Sequence, residues 1–257
     1  MNEAVQANEI VETSWRMGLV ALSYGIAVLG SFVALTAAQR IRRRTGISWL
    51  NLLAAGTALG GIGVWSMHFT GMLALNLGMG SGYSMVETLV SLVAAVAATS
   101  VALAFVARRP ESGLRVLGAG TLLGLGVAFM HYLGMYGMRF PGFIVWSVPT
   151  VVLSVAIAVV AASAALWLSF RTGSLGMRAL AAAVMGAAVC SMHYTGMAAA
   201  DFVCISETQR YARPQGFAVI SALDLPVFTV IVAIGLAALI GMDQLMQQRD
   251  RMRRPLH

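Results

Sequence analysis

Seven stretches of about twenty apolar residues follow one another along the chain, at roughly 17–38, 49–73, 85–107, 115–137, 147–169, 178–199 and 222–242. Twenty residues of α-helix cross the hydrocarbon of a bilayer, and in lipid only helices and closed barrels satisfy every backbone polar group. The pattern predicts an all-α polytopic membrane protein, a bundle of seven transmembrane helices. Only 11% of the residues are charged, which leaves little polar chain outside the spans. The expected division is a short extracytoplasmic segment over 1–15, a seven-span membrane domain over 16–245 and an Arg-rich cytoplasmic tail over 246–257. The tail is too short for a catalytic domain, so no enzyme activity is expected.

The net charge of +7 raises the question of nucleic acid, but the placement of the basic residues answers it differently. All 17 are arginines. Arg40, Arg42, Arg43, Arg44, Arg108, Arg109, Arg115, Arg171, Arg178, Arg249, Arg251, Arg253 and Arg254 fall on one side of the predicted topology. Only Arg16, Arg139, Arg210 and Arg213 fall on the other. The positive-inside rule then places the N-terminus outside and the C-terminus in the cytoplasm of a multi-pass inner-membrane protein. The arginines mark topology and contact lipid headgroups; no nucleic-acid partner is expected. The first fifteen residues are acidic rather than basic, so the first span reads as a retained helix and not a cleaved signal.

One phrase occurs three times: WSMHFTGM around His68, FMHYLGM around His131 and CSMHYTGM around His193. Two spans fit between successive copies, so each histidine lies on a helix running outward, near its outer end. Copies in one orientation are related by an axis along the membrane normal, which predicts three parallel helix-pair repeats with their histidines at one depth. Counting from each histidine, position −7 is Gly61, Gly124 or Gly186, and −4 is Val64, Val127 or Val189. Position +4 is Met72, Met135 or Met197. At 100° per residue these share one stripe with the histidine. Met67, Met130 and Met192 stand at −1, and Gly71, Gly134 and Gly196 at +3. Small residues at this spacing let membrane helices approach closely, so the stripe is expected to press three helices together.

Neutral imidazole is a ligand for copper, zinc and iron, and thioethers select copper, Cu(I) above all. Every histidine within the spans occupies the same slot of the same repeat, and polar groups inside a membrane are costly and tend to be functional. The candidate metal ligands are therefore His68, His131 and His193 with Met67, Met72, Met130, Met135, Met192 and Met197. Cys190, one turn before His193, is a weaker candidate for a further sulfur, and sequence leaves open whether it pairs with Cys204. Phe69, Tyr132 and Tyr194, which follow the histidines, are expected to form an interfacial aromatic belt. Haem fits poorly, because a bis-histidine pair leaves one imidazole spare and there is no CxxCH attachment. Retinal is excluded, since the chain has no lysine for a Schiff base. No span carries a mid-membrane acid for a proton relay.

The three phrases, Met67 to Met72, Met130 to Met135 and Met192 to Met197, resemble the signature of the MHYT-domain family, over about residues 15–245. That family is a bacterial integral-membrane sensory module. The resemblance implies a copper site near the outer face, held by the three histidines and flanking methionines, that senses oxygen, carbon monoxide or nitric oxide. Phe69 departs from the family's tyrosine. Many relatives carry this module ahead of cyclic-di-GMP synthesis or breakdown domains, so the signal is expected to pass to a partner protein. A second reading is copper capture or handling.

Overall fold

The computed structural model describes residues 9–43, 46–205 and 214–222, with scattered positions from 224 to 249. Six helical spans stand where the apolar runs predict them. Helix α1 is Met17–Ala38 and the second span is Trp49–Ala74. They are followed by α4 (Met85–Ala107), α5 (Gly113–Tyr136), α6 (Val148–Ser169) and α7 (Leu175–Met197). Of the seventh expected span, 222–242, much lies outside the described residues, as do residues 1–8 and most of the 246–257 tail; the positions described between 225 and 249 are helical.

The second span is not uniform. It opens as α2 (Trp49–Thr57), passes through a π-helical segment, Ala58–Ser66, and closes as α3 (Met67–Ala74). Gly60, Gly61 and Gly63 weaken α-helical winding here. The Ser66 hydroxyl donates to the Gly61 carbonyl five residues back, across the wider turn. Gly63 lies against Gly30 of α1 so closely that a Cβ on Gly30 would strike the Gly63 backbone. This is the most enclosed of the spans, 83% buried against 28–50% for the other five.

Helix packing forms a ring: α1 on α7, α7 on α6, α6 on α5, α5 on α4, α4 on the second span, and that span on α1. Neighbours alternate in direction, so the three motif helices occupy every second place. Two of the −7 glycines, Gly124 and Gly186, do not press motif helices on one another, as the stripe suggested. Gly124 receives the backbone of α6 at Val159, and Gly186 receives α1 at Val28. Each admits a neighbour of opposite direction.

The spans are helical as expected, but one end of the bundle is laced by short strands. Strand β2 (Ser14–Trp15), entering α1, pairs with β5 (Leu75–Asn76), leaving α3. β6 (Gly82–Ser84), entering α4, pairs with β7 (Met138–Arg139), leaving α5. β8 (Gly142–Trp146), entering α6, pairs with β9 (Ala200–Cys204), leaving α7. Three antiparallel clamps thus tie the ends of three hairpins. β1 (Glu9–Ile10) extends the β8–β9 sheet and β10 (Val219–Ser221) the β6–β7 sheet. At the opposite end, β3 (Arg42–Arg43) and β4 (Gly46–Ile47) form a small hairpin, and Arg40, Arg42, Arg108, Arg109, Arg115, Arg171 and Arg178 flank the helices.

Candidate metal centre

His68, His131 and His193 stand six, five and four residues before the ends of their helices, all toward the strand-capped end. They meet. Nδ1 of His68 is 3.1 Å from Nδ1 of His131 and 3.1 Å from Nδ1 of His193, and the third side of the triangle is 3.2 Å. The rings stand nearly perpendicular, at 73°, 84° and 89°, with exposures of 1%, 0% and 0%.

Each ring turns Nδ1 inward, to its two counterparts; a cation held at Nδ1 would place the ring proton on Nε2. None of the three Nε2 atoms has a hydrogen-bond partner. Each occupies the space a side chain would need on the next copy: His68 against Gly134, His131 against Gly196, and His193 against Gly71. The contacts close into a cycle through all three motifs. The +3 glycine therefore makes room for an imidazole, and alanine would collide with it.

The arrangement fits a metal ion. With metal–nitrogen bonds of about 2.0 Å, three nitrogens at corners of a tetrahedron lie about 3.3 Å apart. The observed 3.1–3.2 Å is close to that edge. Three Nδ1 lone pairs aimed at one point cannot satisfy one another with one proton per ring, whereas a single cation satisfies all three.

The six candidate methionines are all buried, none more than 2% exposed. They lie on different sides of the histidines. Met192 lines a cavity on the side toward the arginines, and Met72 lines one at the strand-capped end. Met67 packs with Ala27 and Cys190. Cys190 and Cys204 are thiols, not a disulfide.

A supporting layer around the histidines escaped the sequence reading. Phe69, Tyr132 and Tyr194 are not a belt turned to lipid; each packs edge-on against its own histidine, with ring centroids 4.7–4.8 Å apart. Each also meets an aromatic from the strand entering a neighbouring helix: Phe69 with Tyr83, Tyr132 with Trp146, and Tyr194 with Trp15. Eight residues after those aromatics stand Ser91, Ser154 and Ser23. The Tyr132 hydroxyl bonds Ser154 at 2.6 Å and that of Tyr194 bonds Ser23 at 2.8 Å. Phe69 has no hydroxyl, and Trp65 takes its place, donating from Nε1 to Ser91 Oγ at 3.0 Å. The first copy's departure is thus compensated from within the same helix. The available signal was the aromatic-to-serine spacing, Trp15 to Ser23, Tyr83 to Ser91 and Trp146 to Ser154.

An apolar helical bundle with three equivalent buried histidines meeting at one point is a repeat-built membrane domain with a metal-competent centre. The chain belongs to the MHYT family, described as a bacterial signalling protein N-terminal repeat, which matches three times, over residues 61–119, 124–182 and 186–256. The first copy's match begins at Gly61, the third at Gly186 and the second at Gly124, each seven residues before its histidine.

Similar proteins include the bifunctional diguanylate cyclase/cyclic di-GMP phosphodiesterase MucR of Pseudomonas aeruginosa, 43% identical over 74% of this chain and 28% of that protein. Signaling protein YkoW of Bacillus subtilis is 30% identical over 75% of this chain and 25% of its own length. The cyclic di-GMP phosphodiesterase NbdA of Pseudomonas aeruginosa is 34% identical over 70% and 24%. The chain thus aligns with about a quarter of each relative, and what is shared is the signalling membrane domain, not a catalytic one. No solved structure matches.

Proposed function

We propose that the His68–His131–His193 centre holds copper, and that this membrane domain senses a diatomic gas (oxygen, carbon monoxide or nitric oxide) or redox state and signals to a partner protein. The observation that carries this reading is the convergence of three buried Nδ1 atoms within 3.2 Å of one another. Three neutral nitrogens and no carboxylate make a centre suited to a soft, low-charge ion. Met67, Met130 and Met192 beside the histidines, and Met72, Met135 and Met197 a turn later, are the thioethers that favour copper over zinc. Nitrogens so close together leave no slot for a macrocycle, which argues against haem. The fourth coordination position is where a gas would bind.

The arginine-rich end supports a cytoplasmic placement for the ends of α1, α4 and α6, with the N-terminus and the histidine layer toward the outside. The names of MucR and NbdA support an output in cyclic di-GMP turnover, through a partner or an attached domain. A second reading, copper capture at the outer face, is favoured by one observation: Met72 and Met79 share the wall of a cavity of about 390 Å³ at the strand-capped end.

The deciding experiment is the metal content of the detergent-purified protein beside a His68/His131/His193→Ala variant that still inserts. About one copper per chain is expected in the first, since three imidazoles fill most of one coordination shell, and none in the second. Carbon monoxide added to the reduced protein should then perturb the copper spectrum. No metal after reconstitution with Cu(I) would overturn the reading. Copper without a gas response, with copper sensitivity in a deletion strain, would select the capture role.

A further inference from the structure

A cavity with room for the centre of a water-sized sphere over about 30 Å³ lies within the bundle on the arginine side of the histidines. Its wall includes Val64, Val127 and Val189, the same position of each copy, four residues before the histidine and so about 6 Å along the helix. Met192, next to His193, is also in the wall. The lining is aliphatic or, at Met185 and Met192, thioether, except for Thr99, whose hydroxyl already donates to the Gly56 carbonyl at 2.8 Å and the Ala95 carbonyl at 2.7 Å. A water needs about two to four polar partners, so a site like this stays dry, while its volume is about twice or more the ~10–15 Å³ that one water-sized guest requires.

The cavity does not share a lining residue with the polar one at the strand-capped end. It does share Ala161 with a groove between α6 and α7. That groove is floored by small side chains, Ala161 and Ala164 on α6 and Ala188 and Ser191 on α7, and its walls are half-buried or exposed on two membrane spans. Its outer side therefore faces hydrocarbon. Oxygen, carbon monoxide and nitric oxide are apolar and more soluble in hydrocarbon than in water, so the bilayer concentrates them where this groove opens.

We infer that the cavity beneath the three histidines is a docking site for a small apolar diatomic molecule, entered sideways from the lipid between α6 and α7 past Ala161. This rests on the gas-sensing reading for its physiological guest. It goes beyond it by assigning the guest a waiting site and a route that avoids the aqueous face. Valines and Met192 shape the site for a molecule of two heavy atoms, and exclude water and ions from the side of the centre that the gas approaches.

The test uses Ala161→Phe and, on the opposite wall of the groove, Ala188→Phe, with Leu122→Phe on an exposed face of α5 as control. Carbon monoxide association with the Cu(I)-loaded protein, followed after flash photolysis, should slow at least about tenfold in both groove variants, equivalent to about 1.4 kcal/mol on the barrier. Copper content should be unchanged in all three, which reports that the fold is retained. Xenon provides a readout independent of metal chemistry: it should bind wild type with or without copper, as followed by xenon NMR, and lose access in Ala161→Phe. Xenon binding blocked by Ala161→Phe, in a protein whose copper ignores carbon monoxide, would uphold the cavity and route while removing the gas-sensing reading. No xenon site in wild type, or unchanged association rates in both groove variants, would overturn the inference.

Discussion

Nε2 of His68 fills the space that a side chain on Gly134 would need, and the same relation joins His131 to Gly196 and His193 to Gly71. The histidine cluster is therefore set by glycines as much as by the imidazoles themselves. Gly134→Ala should displace the His68 ring and weaken copper binding by about 10–100-fold, as loss of an orienting contact does. It should also destabilise the bundle by about 1–3 kcal/mol through overpacking. Gly118→Ala, at a glycine with nothing within 4 Å, should leave both unchanged. Chelator competition and thermal unfolding in detergent check the pair.

Trp65 stands in for a missing hydroxyl. Trp65→Phe removes the donor to Ser91 and to the Thr88 carbonyl; because the Ser91 hydroxyl still donates to that carbonyl at 2.7 Å, the cost should be about 0.5–1.5 kcal/mol, that of a lost hydrogen bond. Adding Phe69→Tyr supplies a phenol like those of Tyr132 and Tyr194. The double variant should be more stable than the sum of the singles by at least about 0.5 kcal/mol, the threshold for coupled residues. Additive effects would separate Trp65 from the serine layer.

Thioether ligation is read directly by X-ray absorption at the copper edge. A sulfur shell at about 2.3 Å beside nitrogens near 2.0 Å, typical of metal–sulfur and metal–imidazole bonds, is the expected result. Leucine is close in volume to methionine, so Met72→Leu and Met192→Leu should cost less than about 1.5 kcal/mol in stability. Loss of the sulfur shell in one of them would identify which side of the histidine layer supplies the donor. A shell of nitrogens alone in wild type would confine the site to the three imidazoles.

Orientation is settled by accessibility. In a Cys190→Ala, Cys204→Ala background, a cysteine at Asn76, exposed at the strand-capped end, should react with a membrane-impermeant maleimide applied to spheroplasts. One at Glu111, exposed at the arginine end, should react only after permeabilisation. The reverse pattern would invert the topology.

The helical frame was legible because lipid imposes one solution on a long apolar run, and the ends of six helices fall within three residues of the runs. The common depth of the histidines was legible for a different reason, their equal spacing on helices of one direction; that they meet at one point was not, since depth alone does not fix which way each helix face turns. The strand clamps were not, since two-residue strands such as Ser14–Trp15 carry no periodicity. The layer of Ser23, Ser91 and Ser154 was missed because its aromatic partners vary between Trp and Tyr, so no phrase repeats; only the eight-residue spacing does. Nothing but a cluster of glycines foreshadowed the π-helical segment before His68, a winding frequent at functional sites.

The cyclic fit of each histidine into the following copy's glycine has a consequence for biogenesis. Residues are translated in order, so α3 and α5 enter the membrane before α7 exists. With only two copies in place, His68 can rest on Gly134, but Gly71 still awaits His193 and His131 has no glycine to receive it. The third coordinating nitrogen and the last of the interlocks arrive together with the final motif helix. An ion held by all three would therefore be a certificate of completed insertion, and a chain truncated before α7 would be delivered to the membrane with the three-nitrogen cluster incomplete.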